Sequence, residues 1–336
     1  MKVAINGFGR VGKAFFKIAL EEDDIEIIAI NNLAPPEMSA HLVKHDTVYG
    51  IWDHDVSHYE KGLIVDGKKY PIIGEKDPKK LPWKELDVDI VIESTGRFTK
   101  RETAKAHLDS GAKHVIISAP AKGGGVDMFV MGVNEEGLRD QDITSNASCT
   151  TNCIAPVMAI IESNFGIQKA SMTTIHSYTA DQNLVDGSHK KDLRRARAAA
   201  QNIVPTTTGA AAATGEVVPA VEGIFDGFAV RVPTLVVSLS DFTILLKKET
   251  TVEEVNKVIV KASKTDRYKD VLEATDIPLV SSDIIGNTHA SVVDLGLTKV
   301  IAGDLLKIVS WYDNEWGYTA SLVSLCKHTG KRLGLV

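Results

Sequence analysis

The residues at 145–153 read SNASCTTNC and run straight into the apolar stretch IAPVMAII. This predicts a helix with Cys149 in its first turn. The early N–H groups of a helix lack carbonyl partners and stabilise negative charge, so a thiol placed there gains thiolate character. Ser148, Thr150 and Thr151 add hydroxyls beside those amides, and the combination suits a nucleophile with an oxyanion or phosphate next to it. Cys153 falls one turn further along and is expected in the core. A redox pair with Cys149 is disfavoured, because an i,i+4 spacing on a helix is poor disulfide geometry. No dense Cys/His cluster accompanies them, so no metal is expected.

Of the ten histidines, His176 stands apart. It ends an apolar strand, SMTTIHSYT, among hydroxyls, and is the candidate base for Cys149. The competing reading is a structural histidine. Arg231 follows an apolar run and precedes Val232-Pro233, which marks it as inward-facing. It then needs either an anionic ligand or an internal carboxylate. Residues 205–209, PTTTG, read as a turn with clustered hydroxyls and a glycine amide. Residues 181–197 include HKKDLRRAR, a solvated charged loop from which one arginine can reach a phosphate.

These side chains need a scaffold. KVAIN at 2–6 reads as a strand, followed by a glycine loop and a helix through Ala14 and Ile18. IEIIAI at 25–30 is an unbroken apolar run, as in a strand buried on both faces. Similar runs occur at 88–93, 115–117 and 128–133. Strands alternating with helical stretches predict an α/β fold with a doubly wound parallel sheet. After residue 149 the strands lengthen and alternate with polar residues, at 170–178, 228–232, 236–246, 291–297 and 306–312. Here a mixed or antiparallel sheet is expected. Thr251 and Glu254 form a capping box for a helix from Val252, and 315–335 reads as helical.

Gly7, Gly9 and Gly12 give GxGxxG between the first strand and the first helix, the context of a dinucleotide-binding turn. That motif calls for an acidic residue about 20 positions on, at the end of the second strand, to hold the adenine ribose. Position 32 is Asn32. A carboxylate there would repel a 2′-phosphate and an amide does not. NAD and NADP both remain open.

Composition narrows the class. The 336 residues suggest two domains, with 44% hydrophobic and 24% charged residues, as in an ordinary globular protein. A net charge of -6 disfavours nucleic acid as the primary partner. Three cysteines in so long a chain do not form a disulfide framework. The N-terminus does not read as a signal peptide, and no apolar stretch is long enough to span a bilayer. A cytoplasmic location is expected, with no membrane partner.

Taken in order, INGFGRVG, STGRFT, KHVIISAPA, MFVMGVN, SNASCTTNC, HSYTADQ, DLRRARAAAQNIVPTTTGAA, VRVPT and SWYDNEWGY resemble the phosphorylating glyceraldehyde-3-phosphate dehydrogenases over essentially the whole chain. The resemblance implies a Rossmann-type dinucleotide-binding domain over 1–148, completed by a C-terminal helix at 315–336. It implies an α+β catalytic and tetramerisation domain over 149–314. Cys149 would be the nucleophile and His176 the base. Thr179 and Arg231 would bind the phosphate of glyceraldehyde 3-phosphate. Ser148, Thr150, Arg195, Thr208 and Gly209 would surround the attacking inorganic phosphate. Gly7, Gly9, Arg10, Val11 and Gly12 would hold the pyrophosphate of NAD or NADP, Thr95, Gly96 and Ser118 would line the site, and Asn314 would lie near the nicotinamide amide. A homotetramer is implied, with 178–201 resembling the family's interface loop.

Three departures stand out. Asn32 replaces the aspartate usual in NAD-specific members. Ser188 resembles the serine of NADP-using photosynthetic relatives, and both changes favour NADP acceptance. Ala212 stands where most members have lysine. Competing readings are an erythrose-4-phosphate dehydrogenase, from which the intact PTTTG argues away, and a semialdehyde dehydrogenase, which should lack HSYTADQ and SWYDNEWGY. A nucleic-acid-binding or scaffold role fits poorly with the acidic balance.

Overall fold

A computed structural model describes residues 1–336. The chain divides into two compact units. The first comprises residues 1–129, 135–147 and 322–336, and the second residues 130–134 and 148–321.

In the first unit, β1 (Lys2–Asn6) leads through the glycine turn into α1 (Arg10–Ala19) and on to β2 (Glu26–Asn31). β1 pairs in parallel with β2 on one side and with Ile90–Glu93 on the other. Strands central to a covered parallel sheet are apolar on both faces, which is why these runs show no alternation. The full order is Asp127–Met128, Ile143–Ser145, His114–Ile117, Ile90–Glu93, β1, β2, Lys68–Ile73, Gly62–Val65, Val56–Tyr59. The strand order reverses at β1, so the carboxyl ends of β1, β2 and Ile90–Glu93 meet at the switch point, where α/β sheets bind ligands.

The last three strands of that order form an antiparallel extension that the sequence reading did not anticipate. Its signal was Asp66-Gly67, a two-residue turn with both φ values positive, 50 and 79°. That pair satisfies a tight hairpin turn between Val65 and Lys68. The strand expected over 128–133 is also corrected: only Asp127–Met128 is extended. The Asn134 side chain accepts from the Val130 amide, and the Val133 amide donates to the Val130 carbonyl and closes a turn there.

The second unit is built on an eight-stranded mixed sheet. Its path runs Val204–Thr207, Phe225–Val232, Ile167–Ser177, Ser238–Leu246, Leu305–Tyr312, Ser291–Asp294, Leu272–Thr275, and Lys299–Ile301 pairs beside Leu305–Tyr312. Two further expectations change. PTTTG is not a turn: residues 204–207 form an edge strand, where Pro205 costs no interior ladder bond. The run at 291–297 is a strand only to Asp294, then a 3₁₀ turn over Leu295–Leu297. The Thr251–Glu254 capping box forms as expected at the start of Val252–Ser263. The helix Cys149–Phe165 is buried along nearly its whole length, matching the apolar run IAPVMAII at its centre. A final helix spans Trp316–Arg332. No helix is long and apolar enough to cross a membrane.

The core of the first unit also holds His114, fully buried, with Nε2 2.9 Å from Thr144 Oγ1. Burial lowers its pKa from 6.5 to about 4. The folded state therefore binds this proton less readily than the unfolded chain. The stability held by neutral His114 is complete above pH 6.5 and is lost as pH falls from 6.5 towards 4, by up to about 3 kcal/mol. Urea unfolding measured between pH 7.5 and 4.5 should show this slope, and His114→Gln should flatten it. An equal slope in the variant would assign the acid sensitivity elsewhere.

Candidate active site

Cys149 is the first residue of its helix, and Ser148 is the N-cap. The Ser148 hydroxyl accepts from the Thr151 amide at 3.0 Å, as capping requires. Ala147, just before the cap, is held at φ 53°. A non-glycine residue in this region is strained, and the strain sits at the turn that aims the thiol.

The imidazole reaches the thiol from the sheet below. His176 and Arg231 are register partners on the parallel strands Ile167–Ser177 and Phe225–Val232. His176 Nε2 lies 3.5 Å from Cys149 Sγ. Its Nδ1 lies 2.7 Å from the Ser177 carbonyl oxygen, which can only accept. The network thus assigns the proton to Nδ1 and leaves the Nε2 lone pair facing the thiol. The ring packs edge-on against Tyr312, 6.0 Å between centroids at 74°. The Tyr312 hydroxyl is 3.0 Å from Thr150 Oγ1 and 2.8 Å from Thr174 Oγ1, so it ties the helix start to the strand carrying His176.

Taken singly, each reacting group is driven neutral. Burial pushes the Cys149 thiol up, opposed by the Arg231 charge and the hydrogen bond from Thr150. Burial and then Arg231 take the His176 imidazolium down to about 3. The two do not titrate singly, however, because a proton moved from Sγ to Nε2 leaves opposite charges in contact. At that separation their attraction is on the order of 5 kcal/mol at an effective dielectric near 20. The amides of the first helical turn favour the thiolate further. That attraction offsets part of the cost of burying the two charges, and the geometry sets an accepting nitrogen within proton-transfer reach of the thiol.

Two arginine–hydroxyl clusters lie in the same unit. In the first, Arg231 Nη1 donates to the Ser177 carbonyl and to Thr179 Oγ1, each at 3.0 Å. Its buried Nε has no hydrogen-bond partner. The open question about Arg231 is answered by those contacts: it is inward-facing and makes no ion pair with a carboxylate. In the second, Arg195 Nε donates to Thr206 Oγ1 at 3.0 Å and Nη2 to the Thr207 carbonyl at 3.2 Å. Thr208 accepts from the Ala210 amide, and exposed Gly209 is the N-cap of Ala210–Val217 with no side-chain cap.

Asp181, which sequence reasoning passed over, links the clusters. It accepts from the Thr179 hydroxyl and pairs with Arg195 Nη1. Burial works to raise this carboxyl, but Thr179, Arg195 and Arg231 outweigh it and hold it below its ordinary value. Asp192 and Thr206 were missed as well; their 2.6 Å bond braces Arg195. Tyr312 was missed too, although it lies within SWYDNEWGY. Cys153 is fully buried, and all three cysteines are free. Ser188 and Ala212 are exposed, and nothing in the structure explains Ala212.

In the first unit a cleft of about 260 Å³ opens at the switch point, lined by Asn6 to Gly9, Asn31 to Leu33, Glu75, Lys76, Ser94 and Thr95 among others. A Cβ on Gly12 would fall 2.1 Å from the Gly7 carbonyl oxygen, so helix and turn pack at a distance only glycine allows. A Cβ on Gly9 would meet nothing within 4 Å, which leaves that face open to a ligand. No side chain caps α1, so its first amides are available to a pyrophosphate. These residues fit a dinucleotide. Arg10 pairs with Asp46 and lies over Tyr49; Val11 and Gly12 follow in the first turn. The Ser118 amide donates to the Glu93 carbonyl, and Gly96 is exposed at φ 69°. Asn32 Nδ2 donates to Ser39 Oγ at 3.0 Å. Asn314, in the second unit, is buried, its Oδ1 accepting from Ser238 at 3.0 Å. No group of three or more His, Cys, Asp or Glu side chains is placed to hold a metal.

The thiol–imidazole geometry makes a direct prediction. His176→Asn should slow iodoacetamide alkylation of Cys149 at pH 7 by about 10- to 100-fold, because a neutral base within reach is worth roughly that much or more in proton transfer. An unchanged rate would remove His176 from thiol activation.

Residues 1–101 match the glyceraldehyde 3-phosphate dehydrogenase NAD binding domain, and residues 148–314 match the C-terminal domain of that family. The chain is 48% identical over 336 residues to glyceraldehyde-3-phosphate dehydrogenase 2 of Bacillus subtilis (strain 168), covering 99% of this chain and 98% of that one. It is 49% identical over 334 residues to the glyceraldehyde-3-phosphate dehydrogenase of Geobacillus stearothermophilus, with 99% of each covered. Against glyceraldehyde-3-phosphate dehydrogenase 3 of Saccharomyces cerevisiae it is 46% identical over 333 residues, 98% of this chain and 99% of the relative. With an NAD-binding first domain, a thiol paired with an imidazole in the second and identity of this extent from end to end, the chain belongs to the glyceraldehyde-3-phosphate dehydrogenase family.

Proposed function

We propose that this chain carries out the reversible oxidative phosphorylation of D-glyceraldehyde 3-phosphate to 1,3-bisphosphoglycerate through a thioester on Cys149, with NAD or NADP as hydride acceptor. The observation that carries the reading is Cys149 Sγ lying 3.5 Å from an imidazole nitrogen whose ring is locked in the accepting tautomer. A thiolate alone would also serve hydrolysis. Two arginine–hydroxyl clusters in the same unit favour a phosphorylated substrate and a phosphate nucleophile.

The Cys149 thiolate attacks the aldehyde carbon and forms the S–C bond. The carbonyl electron pair moves to oxygen, which takes a proton from His176 Nε2 and gives a thiohemiacetal. When bound, the nicotinamide cofactor supplies the two-electron oxidant. His176 Nε2 accepts the hydroxyl proton as the thioester forms. A phosphate oxygen then attacks the thioester carbon, the C–S bond breaks to give the acyl phosphate, and the thiolate is restored. Thr179 and Arg231 hold the phosphate of the substrate. Ser148, Thr150, Arg195, Thr208 and Gly209 form the site of the attacking phosphate, and Asp181 tunes both clusters. Gly7, Gly9, Arg10, Val11 and Gly12 take the pyrophosphate, Thr95, Gly96 and Ser118 line the cleft, and Asn314 takes the nicotinamide amide.

On this reading, residues 1–148 with the C-terminal helix are the dinucleotide-binding domain and 149–314 the catalytic and tetramerisation domain, in a cytoplasmic homotetramer. The exposed apolar side chains Leu184, Val185 and Leu193 on the 178–201 loop support a buried subunit interface there. Light scattering should give four times the chain mass; a monomer would refute the assembly. NADP is accepted alongside NAD because Asn32 brings no carboxylate to the ribose end of the cleft.

The decisive assay follows NAD(P)H formation with glyceraldehyde 3-phosphate or erythrose 4-phosphate, with each cofactor, and with or without phosphate or arsenate. Turnover should require glyceraldehyde 3-phosphate and the oxyanion. Cys149→Ser should lose at least about 10³-fold in kcat, as removal of a nucleophile does; near-full activity would overturn the thioester route. Asn32→Asp should lower kcat/KM for NADP more than for NAD, and an unchanged ratio would take Asn32 out of cofactor choice.

A further inference from the structure

Beneath the glycine turn lies a closed set of polar side chains that the chemistry above does not use. Glu93 ends its strand in register with Asn6 of β1 and is almost completely buried. Four donors converge on its carboxylate. The Thr95 amide donates to Oε1 at 2.8 Å, and the Thr95 hydroxyl donates to the same oxygen. Asn6 Nδ2 donates to Oε2 at 2.5 Å, and His107 Nε2 lies 3.0 Å from that oxygen.

The polarity of this set is fixed at both ends by groups that cannot reverse. On one side the Trp83 indole N–H, donor only, reaches His107 Nδ1 at 3.0 Å. The remaining His107 proton must then be on Nε2, pointing at Glu93. On the other side Asn31 is locked by the backbone of Glu75: its Nδ2 donates to the Glu75 carbonyl and its Oδ1 accepts from the Glu75 amide. Asn31 Nδ2 also donates to Asn6 Oδ1 at 2.7 Å, so Asn6 must turn its own Nδ2 to Glu93. The 3.3 Å between Asn6 Nδ2 and His107 Nε2 is then the approach of two donors sharing one acceptor. Only an acceptor with no proton of its own satisfies every member.

This carboxylate governs the loop that follows it. It grips Thr95, while Ser94 Oγ donates to the Gly7 carbonyl at 2.6 Å. A Cβ on Gly7 would fall 2.7 Å from the Thr95 amide nitrogen, so this loop and the glycine turn are pressed together. Gly7, Ser94 and Thr95 all line the cleft, whereas Glu93, His107 and Trp83 do not.

We propose that Glu93 is a positioning residue for the dinucleotide: its carboxylate, satisfied by donors of fixed polarity, holds Ser94 and Thr95 against the Gly7 turn and thereby sets cofactor affinity. This rests on the dinucleotide reading of the cleft. Glu93→Gln conserves shape but brings two protons against donors of which the Thr95 amide, Asn6 and His107 cannot reverse, and only the Thr95 hydroxyl can turn to accept.

The experiment is calorimetric titration of the full-length protein with NAD, alongside iodoacetamide alkylation of Cys149 in the absence of cofactor. Glu93→Gln should raise the NAD Kd by about 10-fold or more, the scale expected when a buried donor is left unpaired, with alkylation within twofold of the parent. A Kd within twofold of the parent overturns the proposal. So does an equal loss in both readouts, which would mean a general structural defect. If Glu93→Gln does not fold, His107→Phe removes one donor from the side away from the cleft and should raise Kd severalfold, with the same criterion for failure. A parent protein that binds no dinucleotide would instead refute the reading of the cleft.

Discussion

The candidate site depends on one register, the parallel pairing that sets His176 opposite Arg231. A slip of one residue in either strand would turn that side chain to the other face of the sheet and leave Cys149 facing a different residue. The register also creates an electrostatic problem. A guanidinium and an imidazole that must accept protons are buried side by side, with Arg231 Nη1 3.2 Å from His176 Nδ1. The Ser177 carbonyl relieves it by accepting from both. The remaining imbalance is an excess of positive potential, and a thiolate or a substrate phosphate is what such a place stabilises.

How much of this was legible in sequence differs by element. The thiol at a helix start was readable because capping and apolar runs are local signals. The buried strands of the first unit and the capping box at Thr251 were readable for the same reason. PTTTG was misread because a proline beside threonines looks like a turn, and only the neighbouring strand Phe225–Val232 makes it an edge strand. The hairpin at Asp66-Gly67 carried a local signal that went unused. Asp181, Asp192 and Tyr312 could not be found at all by pattern. Their partners lie 2, 14 and up to 162 residues away, and an acidic residue in a charged loop looks solvated until its arginine is placed.

At the ribose end of the cleft, two neighbouring asparagines have been given different work. Asn31 gives both amide hydrogens to Asn6 and the Glu75 carbonyl and accepts the Glu75 amide, so it has no hydrogen left to donate to a ligand. Asn32 commits one amide hydrogen to Ser39 and keeps an uncharged oxygen able to accept a hydroxyl. The first fixes the floor of the cleft and the second leaves an uncharged acceptor facing it.

The same division between structure and function applies to the hydroxyls around the nucleophile. Ser148 and Thr150 were assigned to the attacking phosphate, yet both are already engaged: Ser148 caps its helix and Thr150 meets the Tyr312 hydroxyl. Ser148 Oγ accepts from the Thr151 amide and also lies 2.7 Å from the Thr151 hydroxyl, so both side chains sit in hydroxyl pairs in which either oxygen can donate. Beside these hydroxyls lie the first-turn amides, which helix geometry leaves without internal acceptors. Charge developing beside Cys149 would therefore meet dipoles already fixed by folding, and little reorganisation would be needed when the thioester forms or breaks.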